Sequence, residues 1–159
     1  MNESIFGVGC KRWKWALVML GGICGSVQAA DRYVPDQYPT IQAAVNAAAS
    51  GDWIRVRPGI YQGAGNRDIV VPDKTLVIVG IGGEAVLDLQ GSAASPHRAF
   101  TANRYNGSNR SLVIEGFTIR NGYVPDNGGA ISIYWSITDA AGGIDIRNCT
   151  FSNNFANGQ

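Results

Sequence analysis

Glu115, Asp145 and Arg147 are the residues whose types and spacing come nearest to chemistry. They occupy alternate positions of Leu112-Val113-Ile114-Glu115 and Ile144-Asp145-Ile146-Arg147, two strand-like segments 32 positions apart (112 to 144). If those segments stack, Glu115 and Asp145 lie on adjacent turns of a repeat. Two neighbouring carboxylates can serve as general acid and base, the arrangement that cleaves glycosidic bonds. Glu115 and Asp145 are therefore the catalytic candidates. The same register sets Glu115 against Arg147, and a solvated sheet face carrying one cross-strand ion pair is the plainer reading. Such an exposed pair contributes under about 1 kcal/mol. Binding candidates are Arg147, Tyr123 and Tyr134, the tyrosines because an aromatic face stacks on sugar rings. Alternation points Ile131 and Ile133 inward, which leaves Tyr134 facing out.

The remaining reactive residue types give less. His97, the one histidine, lies in Ser92-Ala93-Ala94-Ser95-Pro96-His97 and is expected to be a loop residue with no serine or carboxylate arranged around it. Asp68, Asp73 and Asp88 are spread over different turns of the repeat, so no calcium site is expected. Gly80-Ile81-Gly82-Gly83 is followed by no helix to supply amide donors, so it is expected to be a turn and not a phosphate loop. No metal and no cofactor are expected. Cys149 falls at the position equivalent to Phe117 and reads as a small buried hydrophobe.

The elements that must position these groups are repeats of one pattern. Ile54-Arg55-Val56-Arg57, Leu76-Val77-Ile78-Val79, Leu112 to Glu115 and Ile144 to Arg147 each alternate apolar and variable residues before a Gly, Pro or Asn. Period-two alternation predicts strands with one buried face, and recurrence every few tens of residues predicts a solenoid. Lined up, the inward positions form two ladders, Ile54, Leu76, Leu112, Ile144 and Val56, Ile78, Ile114, Ile146. The outward columns are Arg55, Val77, Val113, Asp145 and Arg57, Val79, Glu115, Arg147. Further strands are predicted near 60–61, 68–71, 86–89, 99–102, 117–120 and 131–135, three to a turn and all parallel. Asn121 and Asn153 fall at equivalent corners, where Asn tolerates a left-handed backbone.

The 159 residues contain 45% hydrophobic residues, 21 Gly and 6 Pro, which suits one all-β domain rich in turns. Residues 1–29 read as a signal peptide: Lys11, Arg12 and Lys14 precede a short apolar run, and Val27-Gln28-Ala29 is a small-x-small cleavage site. Ala30 is then the mature start, and secretion or association with an outer membrane is the expected location. The apolar run is about half the roughly 20 residues that a spanning helix needs, so no transmembrane helix is expected in the mature chain. Beyond the leader 10 basic and 11 acidic residues remain, a balance with no footprint for nucleic acid. Residues 30–51 form the expected N-terminal cap. Its helix spans 40–50, with Thr40 as N-cap, Ile41, Ala44, Val45 and Ala48 on one face, and Ser50-Gly51 at its close. Residues 52–159 form the coils.

Tyr38-Pro39-Thr40-Ile41-Gln42-Ala43-Ala44-Val45 and Val56-Arg57-Pro58-Gly59-Ile60-Tyr61 resemble the N-terminal cap and first coil of right-handed parallel β-helices of the pectin-lyase-like superfamily. Gly128-Gly129-Ala130-Ile131 and Phe151-Ser152-Asn153-Asn154 resemble the GGA-I and F-x-x-N repeats of chlamydial polymorphic outer membrane proteins. The resemblance implies an all-β parallel β-helix with a capping helix. It implies either a non-catalytic surface scaffold or adhesin that binds glycan, or a carbohydrate-active lyase, hydrolase or esterase. The superfamily's catalytic words are missing: there is no Arg-x-Pro-x-x-Arg and no Gly-His-Gly. The scaffold is the expected function, with an enzyme whose active site lies beyond residue 159 as the alternative. The Phe151 to Gln159 stretch stops where the repeat calls for another strand, so an open lower edge and self-association are also expected.

Overall fold

The computed structural model describes residues 28–104, 111–135 and 143–158. Of the expected leader only Gln28 and Ala29 fall among them, and Cys10 and Cys24 lie outside the described residues. The alternating segments form strands. β1 (Asp31–Val34), β2 (Trp53–Val56), β5 (Leu76–Gly80), β8 (Leu112–Glu115) and β12 (Ile144–Arg147) make one sheet in the order β1-β2-β5-β8-β12. β3 (Gly59–Tyr61), β6 (Ala85–Asp88), β9 (Phe117–Arg120) and β13 (Thr150–Ser152) make a second. β4 (Ile69–Val71), β7 (Phe100–Arg104) and β11 (Ile131–Trp135) make a third, and the short β10 (Tyr123–Val124) and β14 (Phe155–Ala156) a fourth. Strand partners in all four sheets are parallel. From β2 to β11 the chain visits the first, second and third sheets in turn three times, with β10 of the fourth sheet between β9 and β11, and it returns to the first at β12. The fourth sheet was not anticipated, because two-residue strands are too short to show alternation.

The inward residues are aliphatic and stack in columns. Ile54, Ile78, Ile114 and Ile146 align in one, and Leu76, Leu112 and Ile144 in another. All are fully buried except Ile144, which is half-buried, and Ile146, which is exposed because β12 is the last strand of its sheet. Each fully buried aliphatic contributes about 1.5–3 kcal/mol. Phe100 and Phe117 meet edge to face at 6.3 Å inside the same core and join the third sheet to the second.

β2 is offset by two residues from the alignment expected of it. Ile54 pairs with Ile78 and not Leu76, and Val56 with Gly80 and not Ile78. A shift of two keeps every side chain on its face, so aliphatic matching alone does not distinguish the two alignments. The outward columns change accordingly. They are Asp31, Trp53, Val77, Val113, Asp145 and Tyr33, Arg55, Val79, Glu115, Arg147.

In the true register Asp52, which precedes Trp53, stands level with Leu76, the two segments being joined by Val77 N donating to Asp52 O. Arg32 stands level with Ile54. These two polar residues head the two aliphatic columns and neutralise each other. Asp52 is 1% exposed. Its Oδ2 lies 2.6 Å from Arg32 Nη2 and accepts from Arg32 Nε at 2.8 Å and Ala49 N at 2.8 Å. Its Oδ1 accepts from Ala30 N at 2.9 Å. Burial pushes this carboxyl up, but the Ala30 and Ala49 amides and the Arg32 guanidinium outweigh it and hold it below its ordinary value.

α1 (Ile41–Ala47) starts as expected, with Thr40 accepting from Ala43 N at 3.2 Å. It buries Ile41, Ala44 and Val45, lying against β1, β2 and β4. The helix is shorter than the predicted 40–50 span. Ala48 is already extended (φ −71°, ψ 138°), and the Asp52 carboxylate takes the Ala49 amide out of any helical bond. Corners carry the expected left-handed residues, Asn121 (φ 58°) and Asn153 (φ 52°). Gly116 (φ 75°) turns a corner directly beside Gly80, where a Cβ on Gly80 would come within 2.4 Å of Gly116 O.

Candidate functional site

Glu115, Asp145 and Arg147 do come together on the outer face of the first sheet. Arg147 Nε lies 3.5 Å from Glu115 Oε2 and 3.3 Å from Asp145 Oδ2, and Asn148 Nδ2 donates to Glu115 Oε1 at 3.0 Å. One guanidinium thus serves both carboxylates. At the other end of this face, residues absent from the sequence-based candidates cluster. Arg55 lies over the Trp53 ring at 4.9 Å and pairs with Asp31 at 2.8 Å. Arg57 lies over the Tyr33 ring at 5.3 Å and pairs with Asp36 at 2.8 Å. The odd-numbered run Trp53, Arg55, Arg57 carries the signal for this cluster once its strand is placed. Trp53 is 39% exposed.

Tyr134 is exposed on β11, away from the first sheet, and Tyr123 lies on β10. Tyr123 stacks on Phe155 at 5.4 Å between ring centroids, one residue above the other in the fourth sheet. Cys149 sits level with Phe117, half-buried against the core. Burial pushes its thiol up, against the Phe117 and Gly116 amides that pull it down, so the reactive thiolate is disfavoured.

His97 is not the isolated loop residue expected of it. A serine and a carboxylate do flank it. The connection from β6 to β7 folds into a tight turn in which Ser92 N donates to Ser95 O (2.9 Å) and Ser95 N to Ser92 O (3.1 Å). The backbone of His97 is then clamped by Tyr123, N to O at 2.7 Å and, in return, Tyr123 N to His97 O at 3.0 Å. This holds the imidazole between two groups. Nδ1 lies 2.6 Å from Asp68 Oδ2, and Nε2 lies 2.9 Å from Ser95 Oγ. Asp68 is fixed in turn, since its Oδ1 accepts from Arg98 N at 3.0 Å and its own amide donates to Arg98 O at 2.6 Å. Arg98 reaches onward to Asn127 O at 3.0 Å and to the Asp126 carboxylate. Asp68 comes from one turn of the pattern, His97 from the next and Tyr123 from the one after, 29 residues separating Asp68 from His97. No periodic signal connects them, which is why the sequence pattern is silent here.

Comparison with known protein families, curated proteins and solved structures returns no match. No helix among the described residues is long and apolar enough to cross a membrane.

Proposed function

We propose that this chain is a secreted or cell-surface scaffold of the adhesin kind, a right-handed parallel β-helix that holds glycan or a surface partner on its flat outer faces. The recurring visit to three parallel sheets supports the solenoid, and α1 lying against β1, β2 and β4 supports a lid over one end. The leader-like start supports export.

One observation carries the binding reading. The outer face of the first sheet presents Trp53 and Tyr33 with guanidinium groups laid over them, while its carboxylates Asp31, Glu115 and Asp145 are neutralised by arginines of the same face. Carboxylates held in this way stiffen a surface and serve poorly as acid and base. Aromatic rings beside arginines recognise sugar rings and their acidic substituents. At the far edge Ile133, Ile146, Phe151 and Phe155 are exposed on edge strands, which supports self-association as the second interaction of the scaffold.

Retention on an array of neutral and acidic polysaccharides, including pectin, polygalacturonate and alginate, tests this reading. Binding without depolymerisation is expected, and Trp53→Ala should weaken it about fivefold, the value of one stacking contact of roughly 1 kcal/mol. Depolymerisation of any of these polymers, or binding unaffected by Trp53→Ala, overturns it.

A further inference from the structure

We propose that Ser95, His97 and Asp68 form an acyl-transfer array, with Ser95 as the nucleophile toward activated carboxylic esters. The atoms are those that the chemistry requires. An ionised carboxylate only accepts, so the 2.6 Å contact places the imidazole proton on Nδ1 facing Asp68. Nε2 is left with a lone pair, and Ser95 Oγ–H points at it from 2.9 Å. Asp68 is itself held by the Arg98 amide, and His97 by two backbone bonds to Tyr123, so the imidazole is fixed from both sides.

In the forward step Ser95 Oγ bonds to the ester carbonyl carbon while its proton passes to His97 Nε2. The tetrahedral oxyanion collapses, the bond to the leaving oxygen breaks, and that oxygen takes the proton from Nε2 and departs as an alcohol. Water then attacks the acyl-serine and gives a proton to Nε2. The serine–acyl bond breaks, Oγ recovers the proton, and a carboxylic acid leaves. Asp68 stays ionised throughout and stabilises the imidazolium.

Ser95 is exposed, so bulky or polymer-borne acyl groups reach it. Its own amide is turned back to Ser92 O and to Ser92 Oγ, and so is not offered to the oxyanion. Loss of one such donor costs about 10²–10³ in rate. This confines the site to esters with good leaving groups and makes the acyl-serine slow to clear.

The test uses 4-nitrophenyl acetate and the whole chain. A burst of nitrophenolate, and an acetyl group mapped by mass spectrometry to Ser95, are expected. Ser95→Ala should abolish the adduct, and because it removes one hydroxyl from an exposed turn the fold is kept, as circular dichroism will show. His97→Gln should slow acylation by about a hundredfold or more, and Asp68→Asn should slow it too. A folded chain with no acetyl on Ser95, with acetyl only on lysines, or with acylation indifferent to His97→Gln overturns the proposal. None of these outcomes bears on retention by polysaccharides, so the two readings stand or fall apart.

The expected cleavage after Ala29 makes Ala30 N an amino terminus, and that nitrogen donates to Oδ1 of the buried Asp52 at 2.9 Å. We infer that leader removal, by hydrolysis of the Ala29–Ala30 amide, delivers a new ammonium to this carboxylate and tightens the N-terminal end of the fold. Acetylating the amino group of a chain that begins at Ala30 keeps an N–H but removes the charge. It should lower the thermal midpoint by about 2–4 °C, and should leave an Asp52→Asn chain unmoved. Equal midpoints for free and acetylated chains, or the same fall in both backgrounds, overturn the inference.

Discussion

Asp52→Ala should cost about 3 kcal/mol of folding stability. The buried carboxylate accepts from the amides of Ala30 and Ala49 and holds both nitrogens of one edge of Arg32. Removing it orphans two part-buried amides at roughly 1–3 kcal/mol each. The Arg32 side chain, 20% exposed, can swing toward water, so its charge is not counted in full and the lower part of the range applies. Urea unfolding followed by circular dichroism measures the loss. A pH series adds a second readout. The folded carboxyl lies below its unfolded value, so the folded chain binds fewer protons and gains stability from this group above the unfolded value. That gain disappears as pH falls through the folded value, below the ordinary carboxylate range, and Asp52→Asn should flatten this part of the profile. Asp52→Leu combined with Arg32→Met continues both aliphatic columns to the end of the sheet and should recover at least half of the loss. A cost below about 1 kcal/mol for Asp52→Ala, or a double variant worse than the single, refutes the view of this pair as the buried head of the core.

Three other outcomes are expected. Ile114→Ala removes a fully buried side chain from the middle of its column and should lower stability by about 2–5 kcal/mol in the same urea assay. Gly80→Ala drives a methyl against the Gly116 carbonyl and should cost about 1–3 kcal/mol, seen as a lower thermal midpoint with an unchanged far-ultraviolet spectrum. Arg147→Ala removes the shared partner of Glu115 and Asp145, but the arginine is 51% exposed and screened. A change under about 1 kcal/mol is expected, shrinking further when salt is raised.

Legibility followed periodicity. The strands of the first two sheets and their inward faces were readable because Leu112, Ile114, Phe117 and Ile119 alternate strictly, and the corner asparagines because Asn121 and Asn153 repeat at one spacing. The first register was not, since Asp52 and Arg32 fill aliphatic positions with charge and break the pattern that alignment relies on. The helix end was misplaced for the same reason, Asp52 capturing the Ala49 amide. The array around His97 joins three turns of the chain through a connection of irregular length, where neighbours in space are set by closure of the fold and leave no mark on local spacing.

The two-residue offset of β2 has a consequence for how this chain finds its alignment. Sliding one aliphatic strand past another by two positions costs the interior almost nothing, since Ile54 meets an aliphatic side chain, Ile78 or Leu76, in either case. Such slips are silent to greasy contacts and audible only to the exceptions. Asp52 must arrive where two amides and a guanidinium await it, and Gly80 where a neighbouring carbonyl leaves no room. A few misfit residues thus act as the notches of a key, and smoothing them into the surrounding hydrocarbon would leave a stack free to settle at the wrong height.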